Sequence, residues 1–178
     1  FIAQGPDDRT LMNLPMSHVG GLGIVLRALY RGGSFVVVEA FSAREFWPTV
    51  RRHGITTLTL LGAMTPFLPA EPAGEDDRRH PLRHVIMVPV GADACAFGER
   101  FGVDIYTVFN MTEVSCPIVS ERNRLRPGAC GRARPGYTLR LVDEHDCEVA
   151  LGGVGELIVR ADAPWVIATE YRGDALAT

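Results

Sequence analysis

The stretch Gly32-Gly33-Ser34-Phe35-Val36-Val37-Val38-Glu39 decides the fold class. A run of consecutive β-branched residues without polar alternation predicts a strand over 34–39 that is covered on both faces, as in a parallel sheet packed between helices. Helical patterns bracket it. Upstream, Leu22, Val25, Leu26 and Leu29 recur at helical spacing within 21–30 and predict a mostly buried helix that Gly32-Gly33 stops. Downstream, Ser42-Ala43-Arg44-Glu45 fits a capping box, in which the Ser42 hydroxyl takes an orphan N–H while Glu45 reaches back. Phe46, Trp47, Val50 and His53 follow, and Gly54 ends that helix.

Working outward, 9–14, 55–61, 84–88 and 103–108 read as further strands, with a short helix closing at 99–101. This β-α-β-α-β order predicts an α/β fold, a parallel sheet with helical crossovers. From Pro127 the texture changes. Residues 137–143 and 156–160 alternate apolar with polar and are joined by the polar turn Asp143-Glu144-His145-Asp146, which predicts antiparallel β structure. The expected boundary lies near Arg126, giving units 1–126 and 127–178. Residues 69–81 carry proline, glycine and six charges and read as a surface loop, the expected place for disorder.

Composition narrows the function. The 178 residues are 47% hydrophobic and 22% charged, enough to bury a core, which excludes a disordered tail or a disulfide-stapled miniprotein. The net charge of −3 is spread without a block of one sign, so neither a nucleic-acid groove nor a membrane-surface helix is indicated. No apolar segment reaches the roughly 20 residues of a membrane span, and no secretory signal opens the chain. The 18 basic residues are all arginine, so no lysine Schiff base, phosphate-loop lysine or lysine general base exists here. Cys95, Cys116, Cys130 and Cys147 form no Cys-x-x-Cys pair, and Pro81 between His80 and His84 spoils a shared helix face. Reduced thiols and a cytoplasmic location are the expectation.

Ligands of open parallel sheets bind beyond the carboxyl ends of the strands. Two loops there have unusual composition. In Pro15-Met16-Ser17-His18-Val19-Gly20-Gly21, His18 either faces a cleft or caps the following helix. In Thr107-Val108-Phe109-Asn110-Met111-Thr112-Glu113-Val114-Ser115, an apolar strand runs into hydroxyls and a carboxylate. Glu113 could hold a hard cation such as magnesium, Thr112 could donate to a phosphate oxygen and Phe109 could stack on a base. The alternative is a helix start, with Thr112 or Ser115 as N-cap and Glu113 in the first turn. Gly-x-Ser-x-Gly, Gly-x-Gly-x-x-Gly and Gly-x-x-x-x-Gly-Lys are all absent.

At these loops the sequence resembles the AMP-forming acyl-CoA synthetases, the adenylate-forming ligases. Residues 15–21 are similar to the family's Pro-Leu-x-His-x-x-Gly segment, and 109–113 to its Tyr-Gly-x-Thr-Glu motif. Gly128-Ala129-Cys130-Gly131-Arg132 with Pro135-Gly136 resembles the entry to its small β-barrel, and Gly155-Glu156-Leu157 the following strand. Pro164-Trp165 with Glu170-Tyr171, and 97–103 leading into Asn-Met-Thr-Glu, look most like the crotonobetaine/carnitine-CoA ligase branch. The resemblance implies that 127–178 is part of an incomplete β-barrel, and that the chain belongs in a large N-terminal domain.

It further implies a role for each matching residue. Thr112 contacts the nucleotide phosphate, Glu113 ligates magnesium, Phe109 lies against adenine, Asn110 and Met111 line the adenine and acyl pocket, and His18 sits beside the acyl group. Asn110 stands where the family has glycine, and asparagine tolerates the backbone angles such a turn requires. Pro89, in Met87-Val88-Pro89-Val90, stands for the adenine-binding segment, with Gly91-Ala92 the other option. The implied reactants are ATP with magnesium, a small carboxylic acid and coenzyme A.

The resemblance also predicts a lysine-bearing phosphate loop, a ribose-binding aspartate and a C-terminal domain with an adenylating lysine, none of which this sequence holds. The chain then reads as the middle of a synthetase, unable by itself to complete adenylation. Such a piece would leave apolar surface uncovered and favour self-association into a homo-oligomer. Two other readings stand beside it: a non-catalytic nucleotide- or acyl-binding module, and an adenylation domain passing its acyl group to a carrier protein. The last would often place an aspartate after Pro15, where none occurs.

Overall fold

A computed structural model describes residues 2, 4–69 and 72–176. Its contacts divide the chain into two units, one of 1–108 with 120–131 and one of 109–119 with 132–178. They group the chain differently from the change of texture at 126. The two strands flanking Glu113 pair with each other and the second of them with a strand beyond 131, which draws 109–119 into the second unit.

The first unit is built on a five-stranded sheet of β1 (Arg9–Met12), β2 (Ser34–Val37), β3 (Thr57–Leu61), β4 (His84–Val88) and β5 (Asp104–Tyr106), in the order β2-β1-β3-β4-β5. All pairs are parallel, with Arg9 opposite Ser34, Thr10 opposite Thr57, Thr57 opposite His84 and His84 opposite Asp104. Helices α1 (Val19–Arg31), α2 (Ala43–His53) and α3 (Ala94–Phe101) connect the strands. The α/β class with a parallel sheet and helical crossovers is as the sequence predicts.

The helix ends follow their capping chemistry. Ser42 Oγ accepts the Glu45 N–H at 3.3 Å, and Gly32 and Gly54 close α1 and α2 in the left-handed region at φ 78° and 64°, where a side chain would be strained. One face of the sheet forms the core. Leu11, Leu58, Leu60, Val85, Met87 and Ile105 pack with Phe46 and Val50 of α2 and Phe97 and Phe101 of α3. Trp47 bridges the two helices, its ring 4.4 Å from Phe101 and 4.8 Å from the stacked His80. Burying such a side chain contributes about 1.5–3 kcal/mol, and each well-placed ring pair about 0.5–1.5 kcal/mol more.

At the amino ends of the strands, Asp8 ties three of them together. Its Oδ1 accepts from Thr56 Oγ1 at 2.7 Å and from the Arg83 guanidinium at 2.9 Å, and its Oδ2 from the Gly5 N–H at 2.9 Å. Burial opposes ionisation of Asp8, yet these donors hold its carboxyl below the usual range.

Two expectations are overturned here. Helix α1 is not mostly buried: only Gly21 and Ile24 are, while Leu26 is 57% and Tyr30 82% exposed. Strand β2 is an edge strand rather than one covered on both faces, and Val37 is 60% exposed. Apolar periodicity marks a face that seeks cover, and among the described residues that cover is lacking. Of the surface loop expected at 69–81, residues 70 and 71 lie outside the described residues, and 75–78 form a 3₁₀ turn braced by Arg100 to Asp77 at 2.8 Å and by Arg51 to the Asp76 carbonyl at 3.0 Å.

The second unit contains β6 (Val108–Met111), β7 (Ser115–Val119) and β8 (Arg132–Ala133) in one small sheet, and β9 (Tyr137–Val142) paired antiparallel with β10 (Glu156–Ala161) in another. The antiparallel strands are as expected. The polar turn at 143–146 does not lead straight into β10. It returns the chain to a bridge between Val142 and Glu148, and 150–155 then carry it to β10.

Candidate functional site

In the first unit, parallel pairing places the carboxyl ends of all five strands on one edge. Asn13, just past β1, donates from Nδ2 to the Thr59 carbonyl at 3.0 Å and so braces the end of β1 against β3. The chain then turns through Pro15 to His18, which is the N-cap of α1. Its Nδ1 accepts the Gly20 N–H at 3.1 Å, and the ring is exposed. The capping alternative for His18 is therefore realised, and its Nε2 edge stays clear of that bond.

Pro89 follows β4 directly and is exposed on the same edge. Gly62, just past β3, donates to the Val88 carbonyl at 2.9 Å, and a Cβ there would lie 3.1 Å from Pro89 Cδ. A cavity of ≈ 340 Å³ opens on this edge beside Leu11, Asn13, Glu39 and Glu45. A second, of ≈ 350 Å³, lies between α3 and β5 and is lined by Cys95, Glu99 and Asp104 among others. Neither is lined by His18, Pro89 or any of residues 109–113.

In the second unit, Phe109, Asn110 and Met111 lie on β6, the first two half-buried and Met111 exposed. Thr112, Glu113 and Val114 form the turn into β7, and Ser115 adopts φ 59° where the chain reverses. The helix start weighed for this segment does not form, because both flanks are committed to strand pairing. Thr112 is exposed at the turn.

Glu113 is gripped twice by one remote segment. The Ala168 N–H donates to its main-chain carbonyl at 2.7 Å, and the Tyr171 hydroxyl donates to its Oε1 at 2.8 Å. The Tyr171 bond holds the Glu113 carboxyl below its ordinary range and pushes the phenol up. A carboxylate kept ionised at a turn suits a hard cation, whose preferred donors are anionic oxygens.

Sequence reasoning missed both grips. Tyr171 is 58 residues from Glu113 and no periodicity links them; the only signal was that Glu170-Tyr171 resembled a segment of one ligase branch. Among the described residues no group of three or more His, Cys, Asp or Glu could enclose a metal, and no helix is long and apolar enough to cross a membrane.

Comparison with known proteins places the chain in a family. The model of a family described as AMP-binding enzyme matches residues 1–169. The chain is 32% identical over 170 residues to crotonobetaine/carnitine–CoA ligase of Shigella sonnei, covering 93% of this chain and 33% of the relative. It is 31% identical over 175 residues to the same ligase of Salmonella paratyphi C, covering 96% and 34%. The chain thus spans about a third of the length of these curated relatives.

Among solved structures, the N-terminal domain of FACL13 from Mycobacterium tuberculosis superposes with a TM-score of 0.84 at 20% identity, covering 99% of this chain and 45% of that one. O-succinylbenzoate coenzyme A synthetase from Bacillus subtilis, in complex with ATP and magnesium ion, superposes with a TM-score of 0.77 at 18% identity, covering 94% and 35%. At these identities the superpositions speak for the fold.

Proposed function

From the premise that this chain belongs to the AMP-binding enzyme family, we propose that it is the central part of an acid–CoA ligase. Such an enzyme uses ATP to activate a small carboxylic acid as an acyl-adenylate and passes the acyl group to coenzyme A. The substrate carboxylate attacks the α-phosphorus of ATP and pyrophosphate leaves; the coenzyme A thiol then attacks the acyl carbon and AMP leaves. Bound magnesium would neutralise phosphate charge as the first step proceeds.

The observation that carries the reading is the β6–β7 turn, on which Thr112 and an ionised, doubly held Glu113 stand together. Glu113 supplies the carboxylate for magnesium, and Thr112 donates to a phosphate oxygen. On the family resemblance, Phe109 lies against adenine, Asn110 and Met111 contact adenine and the acyl group, and Pro89 belongs to the adenine-binding segment. His18 keeps its Nδ1 on the Gly20 N–H, and the resemblance gives its ring a place beside the acyl group. Electrostatic preorganisation and positioning carry most of such catalysis, and no side chain here needs to act as a covalent nucleophile.

The chain holds no lysine, so by itself it binds the nucleotide without completing adenylation. That favours, for the 178-residue chain alone, the behaviour of a nucleotide-binding module. Its free cysteines fit a reducing, cytoplasmic setting. Calorimetry with ATP and magnesium tests the reading: the chain releases heat on binding, Glu113→Gln abolishes it, and no carboxylate-dependent pyrophosphate exchange occurs. Absence of binding, or binding indifferent to Glu113→Gln, overturns it.

A further inference from the structure

The turn that carries Glu113 has three residues, and what it contributes to holding the long, flexible side chain is the main-chain N–H of Glu113 itself, a smaller influence than the Tyr171 bond. The larger restraint comes from residues 168–171. The Ala168 N–H holds the main-chain carbonyl of Glu113, and the Tyr171 hydroxyl holds one carboxylate oxygen. The two bonds act on different parts of one residue. The first fixes the peptide plane and hence the direction in which the side chain leaves the turn; the second fixes where the carboxylate ends.

The bond to Oε1 leaves Oε2 outside that contact. A carboxylate held in this way can offer one oxygen to a cation while the other stays on the protein. Outer groups that orient a ligating carboxylate are a general requirement of metal sites, because a freely rotating glutamate must be ordered again at every binding event. Tyr171 is 46% exposed, and a hydrogen bond open to water contributes little to folding stability. Its physical consequence therefore falls on the geometry of Glu113.

We propose that Tyr171 is a positioning residue for Glu113, and that 168–171 forms a strap fixing the carboxylate that receives the nucleotide's divalent cation. The proposal rests on the ligase reading for its ligand, but the clamp itself can be read without one. Removing the hydroxyl by Tyr171→Phe keeps the ring and its packing.

NMR relaxation of the Glu113 side-chain methylenes in the ligand-free 178-residue chain is the first measurement. The wild-type side chain is ordered and becomes mobile in Tyr171→Phe; equal mobility in both overturns the proposal. The second is the affinity for ATP with Mn²⁺, used as a probe in place of magnesium. Tyr171→Phe weakens it about tenfold, the scale of lost outer-shell support, with the thermal midpoint unchanged. Unchanged affinity, or a loss that follows a lowered thermal midpoint, overturns the positioning role. If the wild-type chain binds no Mn²⁺–ATP while the methylene measurement still shows the clamp, it is the ligase reading that fails, and the strap loses its assigned ligand with it.

Discussion

Asn123 closes both main-chain groups of Ile105. Its Oδ1 accepts the Ile105 N–H at 2.7 Å, and its own N–H donates to the Ile105 carbonyl at 3.0 Å. One residue thereby stands in for a neighbouring strand at the β5 edge of the sheet. It does so from the left-handed region at φ 57°, which asparagine tolerates better than most residues. Nearby, Ser120 Oγ accepts the Thr107 N–H at 2.9 Å while the Ser120 N–H donates to the Thr107 carbonyl at 2.9 Å. The edge is covered without a sixth strand, as edge protection requires. Asn123→Gly keeps the backbone bond and the allowed φ and removes the side-chain acceptor, together with the exposed Nδ2 donor to Asp104 Oδ1 at 2.8 Å. It costs about 1–3 kcal/mol, the penalty of an unpaired, partly buried donor, read from urea denaturation.

The parallel sheet was legible because its signals are local. The β-branched run at 34–38, the Ser42 cap and the glycines that end α1 and α2 each act within a few residues. The misreadings came from burial. Leu22, Leu26 and Leu29 announce an apolar face, but periodicity cannot say whether its cover lies within the same chain. The candidate loop was visible as composition, a strand ending in hydroxyls and a carboxylate. What holds Glu113 was not, since a 58-residue separation leaves no local pattern, and neither was the cover that Asn123 gives Ile105 from 18 residues away.

Acid should weaken the first unit in two stages. Burial holds the imidazoles of His80 and His84 below their ordinary range, in the second case against the pull of Asp104. Below about pH 6.5 the unfolded chain takes up protons that the folded chain refuses, so stability falls as pH drops towards the folded midpoints. The carboxyls of Asp8 and Asp77 are held low: Asp8 by its three donors against burial, and Asp77 by the Arg100 hydrogen bond. Their contribution is present above the unfolded midpoint, near pH 4, and is lost below it. Urea midpoints measured from pH 8 to 3 show both limbs. His80→Gln flattens the upper one, and Asp8→Asn removes part of the lower at a cost of about 2 kcal/mol at neutral pH. A profile flat between about pH 7 and 5 contradicts the histidine assignment.

The uncovered face has a measurable consequence. Leu22, Leu26, Leu29 and Tyr30 form one stripe of α1, and β2 beside it presents Phe35 and Val37 with no charge from Ser34 to Val38. Among the described residues no strand pairs with the outer edge of β2. An apolar helix stripe next to an unguarded edge strand favours association with a second copy. Light scattering on the 178-residue chain should show mass rising with concentration. Leu26→Glu with Leu29→Glu, which retains helix propensity, should return it to a monomer with little loss of stability, since both side chains are already exposed. A wild-type chain that stays monomeric at all concentrations rules this out.

Two neighbouring glycines of α1 should respond in opposite directions to the same substitution. A Cβ on Gly21 would lie 2.2 Å from the Pro15 carbonyl oxygen and 2.9 Å from that of Leu14, both rigid main-chain atoms. Gly21→Ala therefore requires the turn from Pro15 to His18 to move away from the helix, which disturbs the His18 cap. A Cβ on Gly23 meets nothing within 4 Å, and its backbone is ordinary helix. Gly23→Ala lowers the conformational freedom of the unfolded chain and stabilises by about 0.5–1 kcal/mol. Gly21→Ala destabilises by at least about 1–3 kcal/mol, the usual cost of forcing atoms into filled space. Thermal denaturation gives the sign of each. The His18 ring resonances report the displaced turn, shifting in Gly21→Ala and holding still in Gly23→Ala. If both variants were equally stable, the close approach of α1 to the Pro15 carbonyl would be wrong, and with it the placement of His18 on the sheet's carboxyl edge.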